Sequence, residues 1–182
     1  MPLPCVGGDG LYLIEDSRNK VGKHKNIDDY CRRNGITIVR QCLPTGDYML
    51  SEGLQDEDGD FIPVGNITID TKANIMELLK DVMSNDHRRF RAECVRAQEQ
   101  GLQLVVLVEE QPPFGKLDLW EVPRWKSSNQ WHRYGDPMTM IDPKVFRKAL
   151  ITMTQKYGVQ FRFCTRRQSP ARVIKYLRGE FK

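Results

Sequence analysis

No stretch of this chain approaches the roughly 18 consecutive apolar residues that a membrane-spanning helix needs, and its N-terminus carries no signal-peptide pattern. Paired cysteines are missing too. Cys5, Cys31, Cys42, Cys94 and Cys164 are scattered, odd in number and form no C-x-x-C pair. That argues against a zinc site of local spacing and against a disulfide framework, and leaves buried thiols in a reducing cytoplasm, away from any membrane, as the expectation. There is no internal repeat, low-complexity tract or dividing linker, so residues 1–182 are expected to form one domain. The excess of positive charge is small: 28 Lys and Arg against 24 Asp and Glu, a net +4. It fits a nucleic-acid partner without requiring one. With 40% hydrophobic and 29% charged residues the composition is that of an ordinary globular protein, not a disordered one.

What is there reads as alternating strands and helices. Leu11 to Ile14 is a short apolar strand ending in the polar run Glu15-Asp16-Ser17-Arg18. Lys20 to Lys25 reads as a basic loop, Asn26 as the cap of a helix to about Asn34, and Gly35 as its stop. Ile36 to Val39 is a second strand. Leu43-Pro44-Thr45-Gly46 is turn chemistry, followed by a short strand Asp47 to Leu50 and a polar hairpin loop, Ser51 to Gly59. Asn66 to Lys72 alternates at period two, as a strand with one buried face does.

Ile75, Leu78, Leu79 and Val82 have helical spacing, Ser84-Asn85-Asp86 looks like a break with new capping residues, and Phe90, Cys94 and Ala97 resume the stripe up to Gly101. Leu104 to Val108 is apolar at every position, which suits a central strand covered on both sides. Gln111 to Pro137, with Trp120, Trp125 and Trp131, reads as a long loop. Asp142-Pro143 then opens a helix whose apolar face is Val145, Phe146, Ala149, Leu150, Met153 and Tyr157; a strand, Val159 to Phe163, and a helix from Ser169-Pro170 complete the chain. The expected class is α/β with a mixed central sheet flanked by helices.

Asp70 and Lys72, two apart on one strand, leave the same face with attachment points about 7 Å apart. Asp47, at the start of the preceding strand of the hairpin, can bring a second carboxylate beside Asp70. Two carboxylates and a lysine suit phosphodiester cleavage. A hard cation takes carboxylate oxygens, water and phosphate as ligands, neutralises transition-state charge and acidifies its water, while an ammonium group orients that water. The Thr71 carbonyl is a further candidate metal ligand. Taken singly, Asp-x-Lys on a strand is also what any polar outer face shows, and an Asp after Gly is an ordinary turn residue.

Together, Asp16-Ser17-Arg18 after an apolar strand, Gly46-Asp47-Tyr48, Ile69-Asp70-Thr71-Lys72, a helix and the strand Leu104 to Glu109 resemble the nuclease domain of the xeroderma pigmentosum group F (XPF) type, a branch of the PD-(D/E)xK superfamily. The segments His87 to Glu93 and Tyr157 to Phe161 are similar to stand-alone versions from phages and bacteria. The resemblance implies a restriction-endonuclease-like core at about 11–110 with 111–182 packed on it. It implies a Mg²⁺- or Mn²⁺-dependent endonuclease acting on branched, flapped or junction DNA in repair or recombination, nucleoid-associated in such a host. It makes Asp47 and Asp70 metal ligands, Lys72 the assistant of the nucleophile, Asp16 a further carboxylate, and Arg18 a phosphate contact or the clamp of a carboxylate. A homodimer is compatible with the family, though no residue pattern shows it.

Two departures stand out. The family's E-R-K is Asp70-Thr71-Lys72 here, with shorter reach and one Arg fewer, and the acidic residue four after the lysine is Met76, with Glu77 next as an accessory candidate. Further DNA contacts are expected from Arg88, Arg89 and Arg91 beside His87, and from Arg124 and Lys126 between the tryptophans, where solvated helix faces and loop-pinning aromatics are the competing explanations. Two readings of the whole chain compete with the enzyme: an inactive DNA-binding module on the same fold, and a protein-interaction scaffold using the Trp-rich loop.

Overall fold

The computed structural model describes residues 10–83, 87–110 and 143–181. The elements run β1 (Tyr12–Asp16), α1 (Lys25–Arg33), β2 (Thr37–Gln41), β3 (Tyr48–Gln55), β4 (Phe61–Lys72), α2 (Ile75–Met83), α3 (His87–Glu99), β5 (Gln103–Val108), α4 (Pro143–Tyr157), β6 (Gln160–Phe163) and α5 (Ser169–Leu177). The strands form one six-stranded sheet in the order β2-β1-β3-β4-β5-β6. β3 runs antiparallel to β1 and β4, and the remaining pairs are parallel. It is a mixed α/β fold with helices on both faces, consistent with a restriction-endonuclease-like core.

The two faces follow from the strand period. On β5, Leu104, Val106 and Val108 pack with α2, α3 and α4, while Val105 and Leu107 pack with α1 and α5. On β4, Ile69 joins the α1–α5 side, which leaves Asp70 and Lys72 on the side of α2 and α3. The antiparallel pairing decides where the chemistry gathers. The carboxyl ends of β1 and β4 and the amino end of β3 meet at one end of the sheet, where the Asp16 amide donates to the Asp47 carbonyl (2.8 Å) and the Asp47 amide to the Ile69 carbonyl (2.6 Å).

Three local expectations need correction. α1 is capped at His24, not Asn26: the His24 carbonyl accepts from the amides of Ile27 and Asp28, and Asn26 Nδ2 reaches Glu109 Oε1 and the Arg166 carbonyl. The hairpin loop is shorter than Ser51 to Gly59. β3 continues to Gln55, and the turn is closed by Asp56 Oδ1 accepting from the amides of Asp58 and Asp60. Correspondingly β4 starts at Phe61. Pro63 is tolerated there because β5 pairs with β4 only from Ile67 onward, so this stretch of β4 is an edge strand with a neighbour on one side only. Val145 is half exposed, apart from the buried Phe146, Leu150 and Met153. The break at 84–86, the cap Asp142 and the Trp-rich segment lie outside the described residues.

Gly46, with φ of 74°, makes the turn into Asp47. A Cβ there would overlap Thr68 Oγ1 and sit 3.0 Å from the Ile69 carbonyl oxygen. Gly46→Ala is therefore expected to destabilise the fold by about 2–3 kcal/mol, from the left-handed backbone and the clash together. Urea unfolding checks this; a loss below 0.5 kcal/mol, within the ordinary spread of surface changes, would show that the turn relaxes freely.

Candidate active site

At that end of the sheet lies a cavity of about 550 Å³ lined by Asp16, Asp47, Asp70 and Lys72. Asp47 is the most tightly held. Its Oδ2 accepts from the Thr71 amide (2.9 Å) and the Thr71 hydroxyl (2.5 Å), and its Oδ1 from Asn19 Nδ2 (3.0 Å). A carboxylate offers about four acceptor positions, so these three donors leave Oδ1 with a lone pair to give. The turn bearing Asn19 is fixed in turn by Arg40, which binds Glu15 Oε2 (2.8 Å) and the carbonyls of Ser17 and Asn19. From the other side, Glu93 Oε1 accepts from the Gly46 amide (3.1 Å), tying α3 to the same turn.

Asp70 is held differently. Lys72 Nζ lies 2.8 Å from Asp70 Oδ2 and 2.8 Å from Asp81 Oδ2, with all three side chains about nine-tenths buried. The ammonium group is close but poorly aligned, and among the described residues no other donor reaches Asp70 Oδ2, so this buried carboxylate oxygen keeps a lone pair to give. Burial raises the Asp70 carboxyl well above the usual carboxylate range; Lys72 opposes this, and the charges of Asp47 and Glu93 reinforce it. Burial alone would lower the Lys72 pKa, but Asp70 and Asp81 outweigh it and hold the ammonium group charged, above the usual lysine range. Phe90 lies 5.8 Å below that ammonium and completes its enclosure.

The other expected residues divide. Asp16 reaches the cavity but is clamped by Arg18, whose Nε and Nη2 donate to both its oxygens at 2.6–3.0 Å while Nη2 also reaches the Leu43 carbonyl. Of its two expected roles, Arg18 thus fills the carboxylate clamp. Glu77 lines the cavity too, but its Oε2 accepts from the Ala73 amide (2.8 Å) and its own amide donates to Asn74 Oδ1 (2.9 Å), a reciprocal cap on α2. Arg89 stands at the rim, 3.8 Å from Asp81 and largely exposed. Helix rotation carries Arg91 to the opposite flank of α3, and the exposed Arg88 is not part of the cavity lining. Arg124 and Lys126 lie outside the described residues. Thr71 contributes its amide and hydroxyl to Asp47, a contact its sequence position does not suggest.

Three functional neighbours were missed by sequence reasoning. Asp81 and Glu93 each interrupt an apolar helical stripe, three residues after Leu78 and Phe90, and an ionisable group in that position is the signal that finds them. His24 has no such signal. Its Nε2 lies 3.4 Å from Thr71 Oγ1 and 4.0 Å from Asp47 Oδ2, beneath the cavity and edge-on to Tyr48. Burial lowers its pKa against the pull of Asp47, so it is neutral in the folded state. A lowered folded pKa means stability present above the unfolded value of 6.5 and lost as pH falls below it. His24→Gln is expected to flatten that acid-side loss of stability. Thermal melts between pH 5 and 7.5 test it; an unchanged slope would rule out His24 as its source.

Residues 16–177 match the family model of the ERCC4 domain. The chain belongs to the ERCC4 domain family, the XPF-type nuclease domain of the PD-(D/E)xK-related superfamily. Among solved structures it is similar to XPF from Aeropyrum pernix, at 14% identity and a TM-score of 0.54 over 94% of this chain and 62% of that one. It is also similar to XPF from Aeropyrum pernix in complex with DNA, at 16% identity and a TM-score of 0.57 over 92% and 63%. The chain thus spans less than two thirds of those solved chains, and at such identity the likeness speaks for the ERCC4 fold alone. A search of the curated proteins finds no match. Among the described residues no helix is long and apolar enough to cross a membrane, and no ready-made group of three or more His, Cys, Asp and Glu side chains forms a metal cage.

Proposed function

We propose that this ERCC4 domain is a Mg²⁺- or Mn²⁺-dependent DNA endonuclease, with a preference for branched or flapped duplexes. One observation carries the reading: Asp70 Oδ2 is a buried carboxylate oxygen without an aligned donor, in a cavity that also holds Asp47 and the ammonium group of Lys72. A divalent cation is the chemistry that fits such an oxygen, since it offsets both the burial of Asp70 and its repulsion by Asp47 and Glu93. Mg²⁺ needs only one or two carboxylates, with water and substrate phosphate completing its shell, so a full protein cage is not required.

Asp47 and Asp70 would hold the ion, with the Thr71 carbonyl as a candidate third oxygen. When bound, the ion would supply a more acidic water and charge neutralisation at phosphorus. The remaining work belongs to the chain. Lys72, kept charged by Asp70 and Asp81, is suited to fix the attacking water and stabilise charge on the phosphoryl oxygens. Thr71 and Asn19 hold the Asp47 carboxylate in place and aimed into the cavity. Arg89 at the rim is placed to meet a phosphate, and Asp16 presents a carboxylate whose clamp by Arg18 fixes its position. The DNA bound to the archaeal relative supports this choice of substrate.

The decisive assay offers labelled single-stranded, duplex, flap and four-way DNAs with Mg²⁺ or Mn²⁺ to the wild type and to Asp47→Asn. Metal-dependent cutting, greatest on a branched DNA and lost in the variant, is the expected outcome. Cutting that survives Asp47→Asn moves the site elsewhere. Metal-independent DNA binding without cutting would favour the inactive module, which the Asp70-Thr71-Lys72 departure motivates.

A further inference from the structure

The candidate active site, lined by both acidic and basic side chains, uses one flank of α3; the opposite flank, facing α4, forms a second depression of about 380 Å³. Among the described residues its lining charge is of one sign. Arg91, Lys148 and Lys156 line it, and no Asp or Glu does among the described residues. None of the three is ion-paired with a carboxylate among the described residues. Lys156 lies instead 5.5 Å over the ring of Tyr157. Among the described residues, no hydrogen-bond partner reaches the buried Nδ1 of His87 at the same groove. Proteins commonly pair or disperse surface cations, because like charges held together repel. A groove whose described lining is basic and carries no carboxylate is short of an anion.

We infer that this groove is a phosphate track that grips the nucleic-acid backbone away from the cutting site. The shape favours an extended polyanion over a single small anion. Lys148 and Lys156 are eight residues apart on α4, about 12 Å along the helix axis. At one phosphate per roughly 3.4 Å of each strand, that length faces about three phosphates. Thr152 between them donates to the Lys148 carbonyl, so the cations carry the contact. Half-exposed Val145 gives an apolar wall suited to sugar faces. Arg89 and Arg91 are two residues apart on α3, one at each cavity, so a single helix would be gripped by the backbone on both flanks. This deepens the nuclease reading, on which it rests for the choice of DNA over another polyanion.

The test is anisotropy binding of a labelled duplex to the full chain without divalent metal, over a range of salt concentrations. It compares wild type, the control Arg33→Gln and the triple variant Arg91→Gln, Lys148→Gln, Lys156→Gln. All three replaced side chains are exposed, so the triple variant is expected to melt like the wild type. With each phosphate contact contributing about 0.9 to the slope of log affinity against log salt, the triple variant should lose about 2–3 from it and bind roughly tenfold or more weakly near 0.1 M salt. Arg33→Gln, exposed on α1 and outside both cavities, should keep the wild-type slope.

A triple variant with the wild-type slope, beside a wild type that cuts DNA, overturns the track and leaves the nuclease standing. A flattened slope in a protein that never cuts sustains the track and ends the nuclease. Poly-glutamate that outcompetes the duplex, through the same three side chains, overturns the track in favour of an acidic protein partner.

Discussion

Asp70→Asn is expected to lower the cleavage rate about a thousandfold, on the order of 4 kcal/mol of transition-state stabilisation, while leaving the melting temperature unchanged or higher. The two effects have one cause. Asp70 is buried, its charge is disfavoured by desolvation and by Asp47 and Glu93, and no donor is aligned to its Oδ2. Asparagine keeps the shape and removes the charge, which relieves the fold and deprives a cation of its ligand. Lys72 keeps Asp81 as a partner, so no ammonium group is stranded. Activity against a flap substrate and a thermal melt on the same preparation decide the matter. Loss of activity accompanied by a clear fall in melting temperature would mean that Asp70 serves the fold rather than the reaction.

Lys72→Met is expected to act the opposite way on stability. It leaves Asp70 and Asp81 buried without their shared cation, and breaking a buried pair from one side costs about 3–5 kcal/mol. The pH dependence has a definite sign. The folded pKa of Asp70 is already raised above its unfolded value of 3.8, and loss of Lys72 raises it further. Stability is therefore fully present below 3.8 and falls as pH rises through the folded value. The variant should lie nearer the wild type at pH 5 than at pH 8 in urea unfolding, and should not cut DNA at either. A deficit independent of pH would show that the carboxylates do not depend on Lys72.

Asp81 shows in the sequence only as a charge within an apolar stripe; that it partners Lys72 is not encoded in any local spacing. It lies nine positions downstream, on a helix whose docking onto β4 brings it to the ammonium group. His24 is farther still in sequence, 47 positions from Thr71. Arg88, Arg89 and Arg91 looked like one cluster because sequence neighbours cluster on paper; at about 100° per residue a helix sends them to different sides. The sequence reading makes the hairpin five residues too short at each arm, because the acidic and polar run Ser51 to Gly59 suggests a loop. Solvent-facing strands accept such residues when the backbone is paired.

The amino-acid sequence by itself determined the succession of strands and helices, the stops at Gly35, Gly101 and Gly158, and the common face of Asp70 and Lys72. Each of these depends on backbone period or on glycine's access to positive φ, which are local properties. Tertiary structure alone decided that Asp81 shares Lys72, that Thr71 and Asn19 hold Asp47, and that two differently charged cavities flank α3. Those contacts join segments whose separation is set by strand order and helix docking, and burial makes them strong by removing the water that would otherwise screen them.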